Sequence, residues 1–239
     1  MTIDASSLDF KQLNEMLRGA DADCKIENCC GQRFIAAGMK DKKICVSGVP
    51  GNALGAYLDG AEIEVLSNAQ DAVGDTMNGG EIRVHGNIGD AAGYAMRGGE
   101  IFVKGNAGYR AGIHMKAYRE KHPVMVIGGK AGSFLGEYQA GGTIIVLGLG
   151  KGDDDIVGNF PCTGMHGGKM ILRGTCEGIV FPSQVTARKA DEEDFKELKK
   201  YVEKFAERFG YDAETLLKDE FTVITPDSSN PYKQMYVAN

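Results

Sequence analysis

The sequence lacks several features that would assign it to a common class of protein. It has no tryptophan, only 6 prolines among 239 residues, and no apolar run near the roughly 20 residues of a membrane span. Its formal net charge of −6 opposes the basic surface typical of nucleic-acid binders. The first residues, MTIDASSLDFKQ, have neither the basic nor the apolar region of a signal peptide. We therefore expect a cytoplasmic protein that binds no nucleic acid and no membrane.

The six cysteines also lack a recognisable arrangement. No CxxC pair occurs, and Cys24, Cys29 and Cys30 do not have the spacing of common zinc or iron–sulfur sites. Without a secretory signal, an even number of cysteines does not predict disulfides. We interpret them as small apolar residues with free thiols. An unusual cluster site is the less favoured alternative.

Glycine, by contrast, is abundant, at 34 residues or about twice the usual share. The glycines belong to a 19-residue repeat, in which DAVGDTMNGGEIRVHGNIG is followed directly by DAAGYAMRGGEIFVKGNAG. Their corner signature is G-x-x-G-x-x-x-G. The same interval separates four columns of equivalent residues, namely Gly55, Gly74, Gly93 and Gly112; Leu58, Met77, Met96 and Met115; Asn68, Asn87 and Asn106; and Glu62, Glu81 and Glu100. A fixed period of this length is typical of solenoid proteins.

Each unit also carries a short run in which aliphatic residues alternate with mostly polar ones such as Glu64 and Arg83, which predicts a β-strand. A unit this small cannot bury its apolar face alone, so the units must stack and pair their strands. The pairs expected to face the interior are Ile44/Val46, Ile63/Val65, Ile82/Val84, Ile101/Val103, Val124/Val126, Ile144/Val146 and Met170/Leu172. The sequence therefore predicts an all-β solenoid of about six or seven coils over residues 29–182, with the methionine column along its axis.

Residues 1–28 and 183–239 lie outside the repeat, and we expect them to flank and cap it. Four segments are predicted there: a helix over 9–18, an amphipathic helix over 191–209 that stops at Gly210, a short helix from Asp212 to Lys218, and an extended tail from Phe221 to Asn239.

Two of the columns carry polar side chains. We expect Asn68, Asn87 and Asn106 to form a ladder of amides at a corner. The glutamates of the fourth column would repel one another if unpaired, so we interpret that column as a solvated outer face on which Arg83 and Lys104 reduce the repulsion. A stripe for a metal or a cationic partner is the alternative interpretation.

The period lengthens at two places, and insertions in a solenoid form loops. The first inserted segment is basic, with His114, Lys116, Arg119, Lys121 and His122. Two interpretations of it stay open: a site for an acidic partner or an anion, and a surface bulge. The second segment, over residues 148–155, has three glycines followed by three aspartates and lacks the G-K-[ST] of a phosphate-binding loop. We interpret it as a hydrated turn, with a cation site as the alternative.

No catalytic constellation is recognisable in the sequence. G-x-S-x-G and H-E-x-x-H are absent, and no strand–helix–strand pattern for a dinucleotide is visible. The four histidines lie apart in the repeat, and we interpret His166, in MHGG, as an outward corner residue. We therefore assign no catalytic, cofactor-binding or metal-binding residue to this chain.

The run GNIGDAAGYAMRGGEIFVKGNAGYRAG resembles the GxxGxxxG repeat domain at the C-terminal end of the glutamate synthase large subunit, with similarity from about Cys30 to Gly178. It more distantly resembles the subunit of formylmethanofuran dehydrogenase that carries the same repeat. The run from Gly112 to Gly148, the stretch TGMHGG and the flanking helices favour the glutamate synthase side, as a stand-alone polypeptide. The resemblance implies a right-handed, single-stranded parallel β-helix.

In glutamate synthase, one domain releases ammonia from glutamine and another, carrying FMN and an Fe–S cluster, forms glutamate from 2-oxoglutarate. The β-helix supports both and has no catalytic residue. The resemblance therefore implies a scaffold whose partners are a glutamine amidotransferase-like subunit and an FMN/Fe–S synthase-like subunit. FMN and Fe–S are then expected on those partners, with no cofactor on this chain. Whether the chain also forms homo-oligomers stays open.

Two alternative functions remain at this point. The first is a scaffold subunit of a formylmethanofuran dehydrogenase-like complex. The second is a stand-alone β-helix enzyme that acts on a polysaccharide and needs paired carboxylates in an outward groove. Asp75 and Glu81 are the available candidates for that pair, although the repeat explains both more simply.

Overall fold

The computed structural model describes residues 1–21, 23–150, 152 and 155–229. The strands in these ranges are β1 (Thr2–Asp4), β2 (Cys24–Cys30), β3 (Lys43–Val49), β4 (Asp59–Val65), β5 (Gly79–Val84), β6 (Glu100–Val103), β7 (Val124–Ile127), β8 (Ala140–Val146), β9 (Gly167–Arg173), β10 (Val185–Lys189) and β11 (Phe221–Pro226). The helices are α1 (Phe10–Gly19), α2 (Glu192–Phe209) and α3 (Ala213–Leu217).

The eleven strands of the described ranges form one sheet, in the order β1-β2-β3-β4-β5-β6-β7-β8-β9-β11-β10. From β1 to β9 each strand pairs in parallel with the next one along the chain, which gives a parallel β-solenoid of about eight turns. The predicted solenoid is confirmed, and the predicted six or seven coils are too few. β1 and β2 join the stack although the chain before Gly31 carries no corner signature, so the repeat pattern did not reveal them.

Equivalent residues of the repeat lie over one another. The successive partners across β3 to β6 include Ile44, Ile63, Ile82 and Ile101. Met77, Met96 and Met115 are completely buried, as predicted. The residue after Met96 and the residue after Met115 donate their N–H groups to the carbonyl oxygens of Met77 and Met96, at 2.8 and 2.9 Å. The interior is therefore a set of apolar columns shared by successive coils.

Strand β7 departs from the predicted alternation. Ile101 pairs with Met125, so Met125 and Ile127 belong to the interior core and Val124 and Val126 to a second cluster outside it. The prediction that Val124 and Val126 face the interior is wrong. All four residues of VMVI are apolar and buried, so their alternation carried no information about which face is which.

Helix α2 lies on the outer face of the later strands. It forms a second hydrophobic cluster that includes Phe102, Val124, Val126, Ile145, Leu147 and Ile171 from the sheet and Leu198, Tyr201, Val202, Phe205, Ala206 and Phe209 from the helix. Asp194 contacts Lys169 of β9 and Arg208 contacts Glu81 of β5. The helix rises about 21 Å between Asp194 and Arg208, and four strand spacings measure about 19 Å. The helix therefore crosses the face of the stack, in addition to flanking it in sequence.

The two ends of the stack are closed differently. α1 places Leu13 and Leu17 in the interior core at the start of the chain. At the other end β11 pairs antiparallel with both β9 and β10. The first part of the predicted extended tail is thus a strand of the sheet, and residues 230–239 lie outside the described ranges. No helix in those ranges is both long and apolar enough to cross a membrane.

Capping residues set the boundaries of the two C-terminal helices, and α2 ends at Gly210 as predicted. Asp191 accepts hydrogen bonds from the N–H groups of Glu193 and Asp194 at the start of α2. Gly210 ends that helix in the left-handed conformation, with φ of 73°. Asp212 caps α3.

The corner signature has two physical origins. Gly108, a middle glycine of the motif, has an ordinary φ, but a Cβ there would clash with Asp90 Oδ1 of the preceding coil. Gly112, the last glycine, has φ of 71°, and a Cβ would collide with Ile144 of the interior. The motif therefore combines close approach of two coils with a left-handed turn.

Candidate functional site

The asparagine column forms a ladder, although its bonds do not join amide to amide. Asn68 Oδ1 accepts the backbone N–H of Asn87 at 2.8 Å, and Asn87 Oδ1 accepts that of Asn106 at 2.7 Å. A second ladder, which the sequence analysis missed, runs beside it. Asp71 Oδ1 accepts the N–H of Asp90 at 2.9 Å, and Asp90 Oδ1 accepts the N–H 19 residues further on at 2.8 Å. These repeated polar side chains join one coil to the next.

The glutamate column is neutralised by cations of the same chain. Lys204 Nζ of α2 lies 2.7 Å from both carboxylate oxygens of Glu100, and Arg208 Nε lies 3.0 Å from Glu81 Oε1. The side chains of Glu81 and Glu100 are 13% and 20% exposed, against 39% for Glu62. The predicted solvated face is therefore wrong for Glu81 and Glu100, because α2 covers them.

The carboxylates considered for an enzyme acting on polysaccharides are both engaged. Glu81 lies under α2 and is paired with Arg208, so it does not line an outward groove. Asp75 Oδ1 accepts a hydrogen bond from Thr76 Oγ1 at 2.8 Å. His166 is half-buried, and its Nδ1 lies 3.0 Å from the carbonyl oxygen of Gly164.

The basic inserted segment folds back on the solenoid. Lys121 Nζ lies 2.9 Å from Asp59 Oδ1, and His122 Nε2 lies 2.9 Å from the hydroxyl of a threonine in β8. Lys116 and Arg119 are exposed and have no ion pair among the described residues. Only part of the predicted basic loop is therefore available to an anion or an acidic partner.

A charge network fixes the start of α2 to β8 and β9. Lys169 Nζ lies 2.9 Å from Asp194 Oδ1 and 3.1 Å from Glu197 Oε2. Burial opposes ionisation of Asp194, but hydrogen bonds from Arg188 and Lys169 outweigh it and lower its pKa to about 2. Hydrogen bonds to Glu197 likewise lower its pKa to about 2. The largest effect comes from His122, and smaller ones come from a threonine hydroxyl of β8 and from Lys169. The network pairs carboxylates with cations and so anchors the helix.

Cys29, Cys30, Cys45 and Cys162 are free thiols, as predicted. Burial raises the pKa of Cys29 to about 11 and that of Cys162 to about 12, which keeps both protonated. Within the described part of the chain, no three His, Cys, Asp or Glu side chains are grouped so that they could hold a metal ion. The predicted hydrated turn at residues 148–155 stays a prediction, since Lys151, Asp153 and Asp154 lie outside the described residues.

A cluster of surface aromatic residues, which the sequence analysis did not single out, lies at the corner turns of the later coils. The ring of His114 stacks on that of Tyr138, with centroids 5.2 Å apart and planes at 9°. Tyr94 meets His114 edge-on at 5.9 Å. The cluster, termed the aromatic corner, consists of Tyr94, Arg110, His114, Phe134, Tyr138 and Phe160.

The aromatic corner has two groups of rings, Tyr94 with His114 and Tyr138, and Phe134 with Phe160, and Arg110 lies between them. Its guanidinium lies 4.7 Å from the ring centre of Phe134, whose ring lies 5.3 Å from that of Phe160. Arg110 Nε also lies 2.9 Å from Glu137 Oε2, next to Tyr138 in the sequence. The period changes at both inserted segments, so these residues did not fall into a visible column in the sequence.

Glycine corners and stacked parallel strands define this chain as a glycine-repeat β-solenoid. The family model described as "GXGXG motif" matches residues 19–227. The chain therefore belongs to the GXGXG motif family, which confirms the resemblance to the glutamate synthase C-terminal repeat domain.

This chain is also similar to individual proteins. Uncharacterized protein MJ1350 of Methanocaldococcus jannaschii is 44% identical over 250 residues, which cover 99% of this chain and 96% of that protein. A chain in the crystal structure of the formyltransferase/hydrolase complex (FhcABCD) from Methylorubrum extorquens, in complex with methylofuran, superposes with a TM-score of 0.64 at 25% identity. That match covers 84% of this chain and 72% of the other.

Proposed function

We propose that this chain is a non-catalytic structural subunit of a glutamate synthase-type complex. In this proposal the solenoid supports a glutaminase-like subunit and an FMN/Fe–S synthase-like subunit during glutamine-dependent formation of glutamate. The FMN and Fe–S groups reside on those partners, and the complex works in the cytoplasm. Membership of the GXGXG motif family supports the proposal.

The observation that carries the proposal is how the repeated polar side chains are used. Asn87 and Asp90 each accept a backbone N–H of the next coil, and Glu81 and Glu100 hold α2. The side chains that recur from coil to coil therefore serve the stacking of the solenoid. Such a stack is a rigid framework on which other subunits can be held.

One observation favours a second candidate, a scaffold subunit of a formylmethanofuran dehydrogenase-like complex. The similarity in fold to a chain of the formyltransferase/hydrolase complex covers most of the described residues, with a TM-score of 0.64. Both candidates assign the same framework role to the solenoid, and they differ in the polypeptides that it binds.

Native purification of the tagged chain from its own cells, followed by mass spectrometry, tests the proposal. We expect a glutaminase-like polypeptide and a flavin-containing Fe–S polypeptide to co-purify, with glutamine-dependent glutamate formation in the eluate. Formyltransferase- and hydrolase-like polypeptides in their place would support the second candidate. The isolated chain should have no glutaminase or glutamate-forming activity, and turnover by the chain alone would contradict the framework role.

A further inference from the structure

The residues of the aromatic corner can be compared with the residues at equivalent positions of other coils. Phe134 and Phe160 occupy a corner position that Ala53, Ala72 and Ala91 fill in earlier coils, with φ between 53° and 63° in all five. The hydrogen bonds between coils establish this equivalence, since each of these alanines and Phe134 donates its N–H to the residue just before its equivalent in the next coil. The turn therefore does not require an aromatic ring.

The corner position of His114 and Tyr138 does not require an aromatic ring either. His114 and Tyr138 occupy a second corner position that Thr76 and Ala95 fill in neighbouring coils, again in the left-handed region. Bulky side chains rarely adopt this conformation. Rings at both positions in the later coils are therefore extra to the needs of the fold.

Three of the five rings, those of Tyr94, His114 and Phe160, are exposed to water, and those of Phe134 and Tyr138 are half-buried. Phe160 is 62% exposed and Tyr94 is 41% exposed. Aromatic residues and arginine are enriched at the centres of protein–protein interfaces, where they contribute most of the binding energy. The composition of the aromatic corner, five rings and one arginine, is that of such a centre.

Cations border this surface and indicate the charge of its partner. Arg97 and Lys116 are exposed on adjacent coils and have no ion pair in the described ranges. Of the nearby acids, Glu137 pairs with the arginine of the aromatic corner, Asp90 accepts a backbone N–H but keeps its charge, and exposed Asp155 lines a cavity together with Phe160. Arg97 and Lys116 therefore place two cations, without an ion pair in the described part of the chain, at the end of the aromatic corner near His114, on a chain whose formal net charge is −6.

We propose that the aromatic corner is a docking surface for an acidic segment of a partner subunit. An apolar side chain of that segment packs against the rings of Phe134, Tyr138 and Phe160, while its carboxylates meet Arg97 and Lys116. The inference rests on the proposed function, and it adds which surface the partner occupies and what chemistry the partner presents.

A triple variant, Phe134→Ala, Tyr138→Ala and Phe160→Ala, tests the surface. Alanine already occupies both corner positions in other coils, so the variant should keep the circular dichroism and melting temperature of the wild type. Its Kd for the purified co-eluting partner subunit should rise at least about tenfold. Tyr57→Ala is the matched control, because Tyr57 is a 59% exposed ring in the second corner column of an early coil, and its Kd should not change.

A charge-reversed variant, Arg97→Glu with Lys116→Glu, should also weaken binding, and the loss should shrink at high salt. This variant alters only exposed side chains, so it decides the matter if the triple variant does not fold. Unchanged Kd values in both variants would overturn the docking surface while the proposed function stands. A wild-type chain that co-purifies with no subunit would overturn both. Retained nucleic acid, or a homodimer, that is lost in the triple variant would overturn the assignment to an acidic partner.

Discussion

Replacing Gly108 by alanine should disturb the packing of two successive coils and lower the stability of the fold. An alanine Cβ would clash with Asp90 Oδ1 and would lie only 2.8 and 2.9 Å from the carbonyl carbon and oxygen of Gly89. The φ of Gly108 lies outside the left-handed region, so an alanine is not strained by the backbone conformation. Any loss of stability therefore comes from the steric clash of the added Cβ and its consequences, and not from backbone strain.

The magnitude follows from two contributions. Asp90 must move and give up its hydrogen bond from the N–H of Tyr109, which costs about 1.5–3 kcal/mol for a charged acceptor. The contact with the backbone of Gly89 remains, and overpacking of this kind costs about 1–3 kcal/mol. The free energy of unfolding should therefore fall by about 2.5–6 kcal/mol, which is a large part of the total for a typical domain.

Urea unfolding followed by circular dichroism measures this difference. Gly19→Ala is the matched control, because Gly19 also has an ordinary φ but has no neighbouring atom within 4 Å of an added Cβ. It ends α1, so alanine there should leave stability unchanged or raise it by up to about 1 kcal/mol. Asp90→Ala combined with Gly108→Ala should cost less than the sum of the single changes, because removing the carboxylate relieves part of the clash.

If Gly108→Ala and Gly19→Ala unfold at the same urea concentration, the explanation that close packing of two coils requires glycine at the corner is refuted. Strict additivity in the double variant would show that Asp90 is not the group that excludes the Cβ.

Three further outcomes are expected. Asn87→Ala should lower the free energy of unfolding by about 1 kcal/mol, whereas Asn87→Asp keeps the acceptor atom and should lose less, as calorimetry can show. Phe205→Ala should cost about 3–5 kcal/mol in urea unfolding, because this ring of α2 is fully buried between the helix and the sheet. Lys199→Ala, on the exposed side of α2, should cost under about 0.5 kcal/mol. The lowered pKa values of Asp194 and Glu197 stabilise the fold fully above their ordinary values of 3.8 and 4.5, so unfolding measured at stepped pH should show stability lost as the pH falls from about 5 towards 2.

The sequence predicted the solenoid because its constraints recur on every coil. A glycine corner that tolerates no Cβ at Gly108 and a buried column such as Met77, Met96 and Met115 each leave a mark at the same interval. The first two strands left no such mark. β1 is an end strand with a neighbour on one side only, and Gly31, directly after β2, has no atom within 4 Å of an added Cβ, so close packing does not exclude a side chain there. Periodicity therefore identified the repeated coils and underestimated their number.

The aromatic corner was missed for a related reason. Insertions move the later coils out of the 19-residue interval, so Phe134 and Phe160 no longer align with Ala53 when residues are simply counted. The hydrogen bonds between coils restore the alignment, and only then does the replacement of alanine by a ring become visible. A functional surface on a solenoid is therefore found by comparing structurally equivalent positions and asking which side chains the turn itself does not need.

The direction in which α2 crosses the sheet can be derived from charge and spacing together. Lys204 and Arg208 are one helical turn apart, which is about 6 Å along the axis, and their partners Glu100 and Glu81 lie on adjacent strands about 4.8 Å apart. The acids of the helix are at its other end, where Lys169 of β9 meets them. A reversed helix would bring acids against glutamates and bases against Lys169. The glutamate column, which recurs on the early coils, therefore sets the orientation of a helix that lies more than a hundred residues away in the sequence.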